Sequence, residues 1–205
     1  MALDTLEQIE LESPIEATSI SLGISWQKLM MWVFIISDGL LFAGLLAGYG
    51  FVRMANPTWP NLNEVFHLPL IGLMTFLLIS SSATMGSAVA AAQRGDRAAA
   101  ARFILFTIIG GLLFMGMQAY EWTSLIREGA RLNTNPWGPP QFGSSFFMIT
   151  GFHGSHVLSG LVILAITGWR LKSGRSSGQG VELAGLYWHF VDLVWVFIFT
   201  LFYLV

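Results

Sequence analysis

Five apolar stretches, each long enough to cross a bilayer, constrain this chain more than anything else in its sequence. A hydrocarbon core of about 30 Å needs roughly 20 apolar residues in helix, and the stretches at about 29–52, 68–92, 102–126, 144–169 and 181–205 qualify. Backbone groups in lipid cannot bond to water, so each such segment has to satisfy its own N–H and C=O groups as a helix. The expected fold class is therefore all-α, an integral membrane bundle of five transmembrane helices over 29–205, preceded by an acidic tail over 1–28. The connectors carry turn chemistry or charge: Asn56-Pro57-Thr58-Trp59-Pro60, Gln93-Arg94-Gly95-Asp96-Arg97, Asn135-Pro136-Trp137-Gly138-Pro139-Pro140 and Ser173-Gly174-Arg175-Ser176-Ser177-Gly178. No internal repeat is visible, which disfavours an inverted-repeat transporter.

Composition narrows the function classes. Of the 205 residues 54% are hydrophobic and 11% charged, against about 25% charged in soluble domains. A net charge of −2 leaves no basic footprint for nucleic acid. The absence of cysteine excludes disulfides, thiolate zinc sites, Cys-ligated iron–sulfur clusters and a C-x-x-C-H haem attachment. The first 24 residues carry Asp4, Glu7, Glu10, Glu12 and Glu16 and no basic residue, unlike a signal peptide.

Orientation follows from the cations. Lys28, Arg94, Arg97, Arg102, Arg170, Lys172 and Arg175 fall on the N-terminal side of the predicted membrane, and Arg53, Arg127 and Arg131 on the other. The positive-inside rule then puts the N-terminus in the cytoplasm and the C-terminus outside. Small residues at helical spacing (Gly44 and Gly48; Gly151, Ser155 and Ser159; Ser80, Ser81, Ser82, Thr84, Gly86 and Ser87) read first as close packing within one bundle and second as a docking face for another membrane subunit.

Ionisable residues inside the spans need compensation, since an acid at a helix centre costs about 2.5–3.5 kcal/mol on insertion scales. They are Asp38 in the first span, Glu121 beside Gln118 and Trp122 in the third, His153 and His156 in the fourth, and His189 and Asp192 in the fifth. His189 and Asp192, at i and i+3, share a face, and a hydrogen bond between these two neighbours would satisfy both. A metal reading is the alternative: His153-x-x-His156 offers two imidazoles that His189, Asp192 and Glu121 could supplement. Four histidines, with His67 at a span boundary, are few for a di-iron membrane enzyme. No G-x-S-x-G and no GxGxxG occurs.

Taken in order, these pieces resemble subunit III of the haem–copper respiratory oxidases. Residues 146–157 read Phe-Phe-Met-Ile-Thr-Gly-Phe-His-Gly-Ser-His-Val, close to the family's F-F-x-x-T-G-F-H-G-x-H-V. Residues 187–195 read Tyr-Trp-His-Phe-Val-Asp-Leu-Val-Trp, close to Y-W-H-F-V-D-x-V-W, and Gln118-Ala119-Tyr120-Glu121 looks like Q-x-x-E. The resemblance runs over about 28–205 and is to the shorter, five-helix branch.

The resemblance implies an accessory, non-redox subunit of a cytochrome c oxidase, supporting proton uptake and the stability of catalytic subunit I during reduction of oxygen to water in aerobic respiration. It implies no catalytic residue and no cofactor in this chain, with haems and copper in partner subunits and a bound phospholipid. Partners are subunit I by direct helix contact, subunit II, and small subunits or other respiratory complexes, in a bacterial inner membrane.

Residue by residue, Asp38 (in Ser37-Asp38) stands where long-form members carry a membrane-embedded Glu linked to proton uptake. Arg170 matches an Arg that meets a phospholipid headgroup, and His156 lines the same cleft. Glu121, His153, His189 and Asp192 match structural polar positions. Ser-Asp is also similar to quinol-oxidising members, so a quinol oxidase or a nitric oxide reductase-associated homologue stays open. From another class, an intramembrane metalloenzyme using His153, His156, His189 and Asp192 would carry stoichiometric iron or zinc.

Overall fold

In the computed structural model, which describes residues 25–175 and 178–204, five long helices form one bundle. They are α1 Trp26–Ala55, α2 Leu68–Gln93, α3 Arg97–Arg127, α4 Pro140–Lys172 and α5 Gly178–Ile198, the last continued by a π-helical segment Phe199–Leu204. All five are long and apolar enough to cross a membrane. The acidic tail, apart from residues 25–28, lies outside the described residues.

Local chemistry sets the helix ends. Ser25 takes an extended conformation and its Oγ accepts from the Lys28 N–H at 3.4 Å, so α1 starts three residues before the expected span. Asp96 caps α3 by accepting from the Ala99 N–H at 2.9 Å. Pro140, expected in the preceding loop, is instead the first residue of α4, where its missing N–H costs nothing. At the end of α2 the chain reverses through Gly95 at φ +79°, with Gly95 N–H donating to Ala92 O and Asp96 N–H to Ala91 O, a Schellman cap that a side chain would strain. Gly129 and Gly174 close α3 and α4 in the same way. Between α1 and α2 a short helical turn, Leu62–Val65, is capped by Asn61.

α5 is the central helix. It packs against α2, α4 and α1, while α2 pairs with α3 and α3 with α4. Of its most apolar window 56% is buried, against 17% for α1, which lies on the rim with Val33, Ile36, Leu40 and Phe51 facing outward. Glycines make the close approaches. A Cβ on Gly111 would meet the Trp188 ring at 2.6 Å, and one on Gly160 would meet it at 3.0 Å, so the indole is held between α3 and α4. Gly44 and Gly48, by contrast, face open space with nothing within 4 Å of a Cβ. Packing within the bundle therefore explains Gly151 (against Trp122) and leaves the Gly44-x-x-x-Gly48 pair unused by this chain.

One end of the bundle collects the basic residues. Lys28 of α1 bonds Glu182 of α5 at 2.6 Å, and a Cβ on Gly174, after α4, would lie 3.7 Å from the Arg97 guanidinium at the start of α3. The opposite end gathers Trp59, Phe142 and the π-helical Phe202 into an aromatic layer.

Candidate functional site

Tryptophan and hydroxyl side chains hold the helices together where lipid offers no hydrogen bonds. Trp188 Nε1 donates to Ser81 Oγ at 3.1 Å, and Trp195 Nε1, two turns on, donates to Thr75 Oγ1 at 3.0 Å. Each hydroxyl passes its own proton to a carbonyl of its helix, Leu78 O and Ile71 O. Donor and acceptor capacity are thus both used, as apolar surroundings demand. Trp122 Nε1 repeats the arrangement with Thr150 at 3.2 Å between α3 and α4.

Around this frame sit the ionisable groups, three clusters of them and a separate His153. At the α1–α4 contact, Asp38 is buried and its Oδ2 lies 3.4 Å from His156 Nε2. His156 Nδ1 lies 2.8 Å from Phe152 O. A carbonyl only accepts, so Nδ1 carries hydrogen and Nε2 turns toward the carboxyl. Tyr187 closes the group, bonding Ser159 Oγ at 2.6 Å and donating to His156 O at 3.2 Å.

Glu121 forms the second group, on α3. Its Oε2 accepts from Gln118 Nε2 at 2.9 Å and from Tyr203 of the π-helical segment at 3.3 Å. The wider winding there turns both Phe202 and Tyr203 inward, the first to stack on Tyr49 at 4.2 Å and the second to reach Glu121. Tyr203 follows from no spacing in the sequence, because an α-helical continuation was expected to the C-terminus.

The third group corrects an expectation. His189 and Asp192 are not hydrogen-bonded to each other; His189 Nδ1 pairs with Ser82 Oγ of α2 at 2.6 Å, and Ser82 also faces the Asp192 carboxyl. The geometry favours the cross-helix hydroxyl over the neighbour on the same helix. His189 is exposed on the outside of the bundle halfway along α5, while Asp192 is buried. Ser82 stood out in the sequence only as a small residue.

His153 is buried among Phe114, Phe42 and Trp195, its ring 5.2 Å from that of Trp195, and neither ring nitrogen has a hydrogen-bond partner among the described residues. Arg170 is exposed at the end of α4, fourteen residues and so about 21 Å along the helix from His156. Among the described residues no three His, Cys, Asp or Glu side chains come together as a metal-holding group.

The sequence is similar to known proteins. A sequence model of the family described as cytochrome c oxidase subunit III matches residues 12–205. The chain is 37% identical to cytochrome c oxidase subunit 3 of Synechocystis sp., over 84% of this chain and 72% of that protein. It is 35% identical to the subunit of the same name in Thermostichus vulcanus, over 87% of each. Cytochrome bo(3) ubiquinol oxidase subunit 3 of Pseudomonas aeruginosa is 33% identical, over 84% of this chain and 82% of that protein.

Proposed function

The chain belongs to the cytochrome c oxidase subunit III family and is a multi-pass subunit III of a haem–copper oxidase, and from that premise we propose that it docks beside the haem-bearing subunit I and assists proton uptake through Asp38 and His156. The oxidase it serves takes electrons from cytochrome c, the donor in the names of the relatives at 35–37% identity, and resides in a bacterial inner membrane with the basic end of the bundle toward the cytoplasm. The observation that carries the reading is the Asp38–His156 contact of 3.4 Å midway along the spans, an acid and an imidazole within reach of each other where lipid offers no other polar partner. Arg170 and His156 mark the headgroup and chain depths of a phospholipid along α4. Glu121, His189 and Asp192 hold helices in register through bonds to Tyr203 and Ser82.

His189 supports a docking face on α2 and α5. An imidazole exposed to lipid at mid-span is costly, and a polar group on an adjoining helix of subunit I relieves that cost. The experiment replaces Asp38 by Ala in the intact oxidase. Haem content and assembly stay at the wild-type level, while proton uptake slows or inactivation during turnover speeds up several-fold. Loss of all haem, or turnover identical to wild type over many cycles, contradicts the role.

A further inference from the structure

At the basic end of the bundle an open pocket of about 450 Å³ lies between the start of α3 and the end of α4. Arg97 and Arg102 of α3 and Lys172 of α4 rim it, and Ala98, Ala101 and Leu171 give it an apolar floor. No carboxylate lines it, and none of the three cations has an acidic partner among the described residues. Arg97, the first residue of α3, adds its charge to the positive end of the helix dipole, and the first turn of α3 holds no acid. Asp96 at the cap offsets one charge of the three and is engaged with the Ala99 N–H at 2.9 Å. Three unpartnered cations around an apolar floor suit an anion that also carries apolar groups.

The chain itself carries such a segment, outside the described residues. Residues 6–16 read Leu-Glu-Gln-Ile-Glu-Leu-Glu-Ser-Pro-Ile-Glu, four carboxylates interspersed with four apolar side chains and no cation. Its attachment is at the right end of the bundle. Ser25, the first described residue, accepts from Gln179 Nε2 of α5 at 2.5 Å. A Cβ on Gly178 would lie 3.5 Å from Ala92 O at the end of α2, and one on Gly174 would lie 3.7 Å from the Arg97 guanidinium. Ser25 and the pocket therefore share one end. Since α1 packs on α4 and α4 on α3, the pocket stands about two interaxial distances, or roughly 20 Å, from Ser25. The thirteen residues from Glu12 to Ser25 span up to about 43 Å when extended, so Glu10 and Glu12 reach it with slack.

We propose that the α3–α4 pocket is the docking site of this chain's own acidic segment, with Glu10 and Glu12 paired to Arg97, Arg102 and Lys172 and with Ile9 and Leu11 lying over Ala98 and Ala101. Single exposed ion pairs hold weakly, whereas three cations facing several carboxylates of one segment act together. The tether helps as well, because a short linker keeps the segment at an effective concentration of about millimolar. Docked in this way, the segment ties the start of α1 to α3 and α4 across the end of the bundle. The site depends neither on which side of the membrane that end faces nor on the proton role of Asp38.

The test treats the intact oxidase with a water-soluble carbodiimide, which joins a carboxylate to an amine in contact with it, and maps the links by mass spectrometry. Lys28 and Lys172 are the two lysines of the chain, and Lys28 already pairs with Glu182 at 2.6 Å, so the Lys28–Glu182 link is the internal standard. Lys172 is expected to link to Glu10 or Glu12. Arg97→Gln together with Arg102→Gln lowers that yield several-fold and leaves the standard unchanged. In a second measurement Ala98→Cys supplies the one thiol of the chain. It reacts with a maleimide several-fold faster once Glu7→Gln, Glu10→Gln, Glu12→Gln and Glu16→Gln are added. Linkage of Lys172 to a carboxylate of another subunit, or to none while the standard forms, overturns the proposal. So does shielding of Ala98→Cys that survives the four substitutions and disappears when lipid is removed, which assigns the pocket to headgroups instead.

Discussion

Trp188 shows how much one side chain carries where the hydrophobic effect is absent. It lies between Gly111 and Gly160 and donates to Ser81, so three helices meet on one indole of the fourth. Gly111→Val drives a side chain into that ring and into Leu161, and overpacking of this kind costs about 1–3 kcal/mol; reduced thermal stability in detergent checks it. Trp188→Phe keeps most of the packing and removes only the N–H donor, with a loss of about 1 kcal/mol. The motif Tyr-Trp-His-Phe-Val-Asp-Leu-Val-Trp was legible as a motif, and Asp38, Glu121 and Asp192 were legible as intramembrane acids. Their partners were not all legible. A sequence shows neighbours on one helix, which is why Asp192 was matched to His189, whereas the bond His189 makes is to Ser82, 107 positions away.

At the scale of elements, length and hydropathy fixed the five spans to within a few residues, because bilayer thickness leaves helix length little freedom. Differences arise at ends. Ser25 and Pro140 extend α1 and α4 by capping, and the last turns of α5 widen into π geometry so that Tyr203 reaches Glu121. No periodicity announces that widening. Tyr203→Phe removes one donor from a buried carboxyl that has, among the described residues, only Gln118 besides, and lowers stability by about 1–2 kcal/mol. Glu121→Gln made together with it recovers part of the loss, since the amide carries no charge to satisfy. By contrast the Lys28–Glu182 bond, with side chains 37% and 31% exposed, contributes under about 1 kcal/mol. Glu182→Gln leaves the melting temperature nearly unchanged.

For the whole molecule, five spans and a charge asymmetry predict the topology, and the bond of Lys28 on α1 to Glu182 on α5 brings the starts of those two helices to one side. With no native cysteine, single replacements report sidedness cleanly. Ser173→Cys reacts with a membrane-impermeant maleimide only after the membrane is opened, and Thr134→Cys reacts in intact cells; the reverse pattern contradicts the orientation. What the bundle leaves uncovered, a rim helix with unused Gly44 and Gly48 and an exposed His189, is the surface of a subunit rather than of a free-standing protein.

That claim is tested most directly by purifying this chain from its own membranes in mild detergent and reading the visible spectrum and the mass spectra of what comes with it. The account predicts reduced haem bands and a large haem-bearing subunit I in stoichiometric amount, with a copper-containing subunit II that takes electrons from cytochrome c. A lone, colourless chain, or one carrying iron or zinc of its own, contradicts it.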